Sequence, residues 1–208
     1  MLFAIILVSC REIKNGDLTQ NNEQRLYKKH CANCHGKKGE GNVRLKSPSL
    51  AGMPLWYTKL QISAFKEGRR GEHKKDRAGI MMRNSILKLE DKTLEEIMLH
   101  IQKMPVVKRV STVKGNIVRG KEEFKAHCIT CHRYNASGER VFKSAPLVYL
   151  QDWYLKEQIM KFKNGLRGYH NDDVSGKKMT EVLSTFEEQE VLDDIVAYIF
   201  QIKNNDTK

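Results

Sequence analysis

No stretch of this 208-residue chain is apolar for long enough to cross a bilayer. Leu2 to Val8 is an unbroken apolar run of seven, where a spanning helix needs about 20. A concentrated run of basic residues is also missing. The chain has 37 Lys and Arg against 25 Asp and Glu, a net charge of +12, but these are scattered along its length. That argues against nucleic acid as a partner, and for a surface that steers the protein toward an acidic redox partner or an anionic membrane. Cysteine is scarce, with five residues in all. Four of them form two pairs, and Cys34 and Cys128 stand 94 positions apart. A structural zinc site needs its pairs about 15–20 residues apart. Neither pair has the βαβ surroundings of a thioredoxin-like redox site.

What the pairs do have is a following histidine. Cys31-Ala32-Asn33-Cys34-His35 and Cys128-Ile129-Thr130-Cys131-His132 are both C-x-x-C-H, the attachment motif of a c-type haem. Two thiols at this spacing each form a thioether to one haem vinyl group. The histidine is then held under the iron as its proximal ligand. The offset between the copies is 97, and it continues well past them. Tyr27 matches Phe124, Trp56-Tyr57 matches Trp153-Tyr154, and Gln61-Ile62 matches Gln158-Ile159. Arg70-Gly71 matches Arg167-Gly168, and Met82 matches Met179. A repeat this long means two copies of one structural unit. Each unit of about 90 residues buries a limited apolar core, so a covalent haem would supply part of its interior.

The pattern resembles the class I dihaem cytochromes c, most closely the cytochrome c4-like group. It comprises C-x-x-C-H, a Pro-Leu or Pro-x-Leu element, an aromatic helix ending in Gly, a Met and a closing helix, and it runs from about Glu23 to Ile202. The resemblance implies an all-α chain of two tandem class I cytochrome c domains, each wrapped around one covalently bound haem c. It implies that a proline near Pro48 gives its carbonyl to the proximal histidine ring. Pro146, one residue out of register, is the domain 2 counterpart. It also implies a Met as sixth iron ligand. Domain 1 offers Met81 and Met82, but at the 97-residue offset Met81 meets Lys178 while Met82 meets Met179. The expected iron ligands are therefore His35 and Met82 in one domain and His132 and Met179 in the other, with Cys31, Cys34, Cys128 and Cys131 as attachment points.

In chain order, residues 1–9 read as a signal peptide and 10–22 as a flexible lipoprotein tether. Domain 1 follows at 23–104, a linker at 105–115, domain 2 at 116–203 and a frayed tail at 204–208. Leu7-Val8-Ser9-Cys10 resembles a bacterial lipobox, which would make Cys10 the lipidated first residue of the mature chain. Helices are expected over Leu55 to Lys66, Asp91 to Lys103 and Glu187 to Lys203 from apolar spacing. Pro105 to Gly115 is Val-rich and basic rather than Gly/Ser-rich, so it should lie ordered against the domains. Trp56 and Trp153 read as core. Arg70 and Arg167 read equally well as reaching haem propionates or facing solvent.

A haem with both His and Met ligands has no open site for substrate, so the expected role is electron transfer without enzymatic chemistry or a small-molecule substrate. The partners would be redox proteins such as a terminal oxidase or dehydrogenase, and the membrane through a lipid anchor. The location would be the periplasmic or cell-surface side. The alternatives are a cytochrome subunit of a flavin- or quinone-linked dehydrogenase complex, and an enzyme such as a dihaem peroxidase or thiosulfate dehydrogenase.

Overall fold

The computed structural model describes residues 15–202. Cys10, the apolar leader and the tail lie outside the described residues. Helices α1 (Asn15–His30), α2 (Ala32–His35), α3 (Leu55–Lys66), α4 (Arg77–Ile86) and α5 (Asp91–Lys103) form the first half. The second half repeats them as α6 (Ile117–His127), α7 (Ile129–His132), α8 (Asp152–Lys163), α9 (Val174–Ser184) and α10 (Gln189–Gln201), with a 3-10 turn at Leu147–Tyr149. Among the described residues, β-structure is limited to two isolated bridges, Asn42–Ser47 and Glu139–Ser144. They too are 97 residues apart. Helices α3 and α8 match end to end at that offset. Helices α5 and α10 match at 98, because one residue is inserted ahead of α10. α1 starts at Asn15, ahead of the domain boundary expected at Glu23, so its first residues fall in the segment read as a tether.

Local chemistry explains the repeated boundaries. Asp76 and Asp173 cap α4 and α9, each accepting from a glycine N–H three residues on, Gly79 and Gly176, at 3.0 Å. Such a cap contributes about 1 kcal/mol. In α5 the residues Leu94, Ile97, Met98 and Ile101 share one buried face, as i, i+3, i+4, i+7 spacing requires. Each such side chain contributes about 1.5–3 kcal/mol on full burial. Helix α1 packs on α5, and α6 on α10. The α6–α10 crossing depends on Gly120. A Cβ there would sit 2.0 Å from the Asp194 carbonyl oxygen. Domain 1 has Glu23 at this position, buried and paired with Lys103 at 2.8 Å.

The halves share a core. Tyr27, Met53 and Tyr57 from the first lie in one cluster with Tyr154, Leu155 and Phe186 from the second. The linker is pinned as expected. Arg109 donates to the carbonyls of Leu150 and Ile202 at 3.1 and 3.3 Å. The buried Asp152 carboxylate accepts from Val113 N–H at 2.8 Å and Thr112 Oγ1–H at 2.9 Å.

The polar contacts across the halves are asymmetric. Lys161 on α8 reaches Asp76 at the start of α4, 2.9 Å away, and also pairs with Glu157 at 2.9 Å. Glu157 in turn lies 3.3 Å from Lys46. The result is an alternating chain of four charges that crosses the interface twice. The repeat counterparts of Glu157 and Lys161 are Leu60 and Ala64, so Asp173 receives no matching lysine from domain 1.

Candidate haem sites

Each C-x-x-C-H forms one short helical turn. Cys31 N–H and Cys128 N–H close the preceding helices on the carbonyls of Tyr27 and Phe124, both at 2.9 Å. The turn ends in left-handed backbone, with Gly36 at φ +85° and Arg133 at φ +65°. That reversal carries the chain back under the histidine. None of the four cysteines is in a disulfide. Burial pushes the Cys31 and Cys128 thiols up to about 12. Among the described residues, no group of three or more His, Cys, Asp or Glu is arranged to hold a metal ion.

His35 and His132 are buried. Burial holds both rings below the ordinary histidine value, against the opposing effect of their backbone hydrogen bonds. Both rings are therefore neutral near pH 7. His35 Nδ1 lies 2.8 Å from the Pro48 carbonyl oxygen, the acceptor the resemblance implied. His132 Nδ1 lies 3.0 Å from the carbonyl of Ala145, not Pro146. This corrects the domain 2 expectation. The acceptor is a main-chain oxygen, so it keeps the 97-residue register whatever side chain it carries. A carbonyl only accepts, so Nδ1 carries the proton and Nε2 keeps its lone pair. No hydrogen bond to either Nε2 occurs among the described residues.

The candidate methionines differ in exposure. Met81 is 57% exposed, whereas Met82 is half-buried against Phe65, Ile86, Leu94 and Met98. In domain 2, Lys178 is exposed and Met179 is half-buried on the main core. Trp56 and Trp153 pack on that core as expected, each edge-on to the next tyrosine.

Arg70 and Arg167 do not face solvent freely. Arg70 donates to Tyr154 Oη at 2.7 Å and Gln158 Oε1 at 3.1 Å across the interface. Arg167 donates to the same Gln158 oxygen at 2.7 Å. Burial, with Arg70 as a neighbouring like charge, pulls the Arg167 guanidinium down to about 10. Arg70 Nε and Gln158 Nε2 are buried without a partner. No carboxylate hydrogen-bonds either arginine among the described residues. A half-buried cation pair with an orphaned donor at Arg70 Nε calls for an anion, and haem propionates are of that kind. The residues present thus fit haem c: paired thiols, a neutral histidine with a free Nε2, an inward methionine and cations for the carboxylates. Neither sequence spacing nor periodicity could show the arginines turning inward. The only signal was that both occupy the same repeat position.

The cytochrome c family profile matches residues 22–105 and again 117–203. The chain belongs to the cytochrome c family. Its two cytochrome c domains carry two haem c groups, one per domain, covalently attached. Cytochrome c4 of Azotobacter vinelandii is 35% identical over 72 residues, covering 35% of this chain and 33% of that protein. Cytochrome c4 of Stutzerimonas stutzeri matches at the same identity and coverage. The chain thus matches about one third of the length of these curated relatives. Among solved structures, reduced recombinant cytochrome c4 from Pseudomonas stutzeri superposes with TM-score 0.66 at 20% identity, covering 89% of this chain and 98% of that one. Thiosulfate dehydrogenase from Marichromatium purpuratum gives TM-score 0.69 at 18% identity, covering 88% of this chain and 40% of that one. At these identities the likeness is one of fold: an all-α, two-domain cytochrome c architecture.

Proposed function

We propose that this chain is a dihaem electron carrier, taking one electron per haem and two per chain. Cys31 and Cys34 hold the first haem, and Cys128 and Cys131 the second. Each pair would hold its haem through two thioethers. His35 and His132 would bind iron through Nε2, because Pro48 and Ala145 accept Nδ1–H and fix the tautomer. Met82 and Met179 would supply the second protein ligand to each iron. When bound, each haem supplies one-electron chemistry at iron, and His/Met ligation raises its potential relative to bis-histidine. Arg70 and Arg167 counter propionate charge at the interface. The observation that carries this reading is the buried, neutral histidine with an unengaged Nε2, found twice at one repeat offset.

The partners are redox proteins, with a terminal oxidase or a dehydrogenase as the candidates. The alternative is a cytochrome subunit of a flavin- or quinone-linked dehydrogenase complex. It draws support from the recurrence of this fold within a longer thiosulfate dehydrogenase chain. Co-purification with a larger catalytic subunit would favour it. Haem attachment to C-x-x-C-H takes place outside the bacterial cytoplasmic membrane, so a periplasmic or cell-surface location follows, with Cys10 as lipid anchor. Cys10→Ser should release a haem-loaded protein into the soluble fraction.

Intact mass and a potentiometric titration test the function together. Two covalent haems and two one-electron steps are expected. One haem, or rapid carbon monoxide binding by the reduced protein, would contradict it.

A further inference from the structure

The two proximal histidines differ in what lies behind the peptide each one bonds. His35 Nδ1 lies 2.8 Å from the Pro48 carbonyl oxygen. The N–H of that same peptide belongs to Ser49, and it donates to Gln151 Oε1 at 2.9 Å. Gln151 is a residue of domain 2. Its other amide atom is engaged too, since Nε2 donates to the Glu40 carbonyl at 2.7 Å. A main-chain donor on one side and a main-chain acceptor on the other fix which way the amide points. Ser49 is buried, and its hydroxyl is committed to the Gly39 carbonyl at 2.8 Å. Among the described residues its N–H has no other acceptor. The amide has room because position 41 is glycine, where a Cβ would sit 2.7 Å from both Gln151 Nε2 and the Ser49 nitrogen. Gln151 is also held from its own side. It precedes α8 between Leu150, whose carbonyl accepts from Arg109, and Asp152, whose carboxylate accepts from Thr112 and Val113. The linker thus grips the residues on either side of it.

The reciprocal contact is chemically impossible. His132 Nδ1 lies 3.0 Å from the Ala145 carbonyl oxygen, and the nitrogen of that peptide belongs to Pro146, which has no N–H. At the 97-residue offset the counterpart of Gln151 is Pro54, whose side chain neither donates nor accepts. Where one direction has glutamine reaching a serine N–H, the other has proline at both ends.

We propose that Gln151 is a positioning residue for the first haem: from domain 2 it polarises the Pro48–Ser49 peptide and so sets how strongly His35 donates to iron. This rests on the electron-carrier reading above, with His35 as an iron ligand, and adds a residue of one domain that tunes the haem of the other. A peptide is a conjugated unit, so accepting from its N–H puts more negative charge on its carbonyl oxygen. Hydrogen bonds chained in this way strengthen one another by about 10–30%. A stronger Nδ1–H···O bond makes the ring a more basic ligand, and a more basic ligand favours oxidised iron. Gln151 therefore holds the first haem at a lower potential than an unsupported peptide would, and does so only while the two domains are docked. The second haem has no such support.

The test compares variants of the haem-loaded full chain by NMR-monitored redox titration, which assigns each one-electron step to its domain. Gln151→Met keeps the length of the side chain and loses the amide. The reduction equilibrium of the first haem should shift at least threefold toward the reduced form, about 28 mV for one electron, and the second haem should move less than half as far. In the reduced protein the His35 Nδ1–H resonance should move upfield while that of His132 stays in place. Gln151→Glu keeps an acceptor for Ser49 N–H and gives up the donor to Glu40, so the potential of the first haem should not rise above wild type. A bridge that merely held the domains together would be lost in both variants alike. Ser49→Pro copies the domain 2 peptide and removes the N–H from the other end. It should reproduce the shift, and adding Gln151→Met to it should change nothing further. A smaller shift in either folded variant, equal shifts of both haems, or equal rises in Gln151→Met and Gln151→Glu would overturn the proposal. Failure of the carrier reading would look different, as a missing haem or a first haem not ligated by His35 in the wild-type protein.

Discussion

Lys161→Ala should destabilise the haem-loaded protein by about 3 kcal/mol. Asp76 is 2% exposed and Lys161 is 12% exposed, at 2.9 Å. Removing one partner of a buried pair costs about 3–5 kcal/mol, because a charge is left uncompensated. The low end applies, since Asp76 keeps its hydrogen bond from Gly79 N–H at the positive end of α4. For a chain of this size 1 kcal/mol corresponds to about 2–4 °C, so the melting temperature should fall by about 6–12 °C. The pH dependence has a definite sign. Burial alone would raise the Asp76 carboxyl, but Lys161, the Gly79 N–H and Arg70 together hold it below the usual carboxylate range. A depressed native value contributes stability above the unfolded value of about 3.9 that is lost as pH falls through the native one. In Lys161→Ala that loss should begin at higher pH. Asp173→Asn, at the cap lacking a lysine, should cost only about 1 kcal/mol. Differential scanning calorimetry from pH 3 to pH 7 measures all of this. A shift under 2 °C for Lys161→Ala, or equal costs at the two caps, would refute the one-sided clamp.

Gly120→Ala should destabilise domain 2 by 2 kcal/mol or more, at about the scale of overpacking, since its Cβ would meet backbone 2.0 Å away. Denaturant unfolding read by domain 2 signals checks this, and a neutral result would mean α6 and α10 can separate freely. Thr112→Ala, which removes one of the donors to the Asp152 carboxylate, should cost about 1 kcal/mol. A larger loss would mean the linker docks as a unit.

Much of this architecture was legible in the chain. The 97-residue offset placed α3 and α8 end to end, because both start and stop on chemistry that repeats. It also singled out Met82 over Met81 by its match to Met179, and Met81 is the more exposed of the two. The interface was not legible. Arg70 and Arg167 carry no periodic signal, and their burial depends on where the second domain docks. The Lys161–Asp76 pair joins residues 85 positions apart with no counterpart in the repeat. The Ala145 acceptor was missed because a carbonyl's position is a backbone property, whereas Pro146 drew attention by its side chain. The tether was read as unstructured because its residues are polar, yet α1 extends back to Asn15 by backbone continuity with the helix ahead of Cys31.

The central claim is that each domain holds a haem between histidine and an inward methionine. Iron–thioether absorption of the oxidised protein, normalised to covalent haem, measures it most directly. Two bands per chain are expected, with Met82→Ala and Met179→Ala each removing about half and Met81→Ala removing nothing. Loss of half the signal in Met81→Ala, or a wild-type protein with fewer than two such bands, would contradict the account.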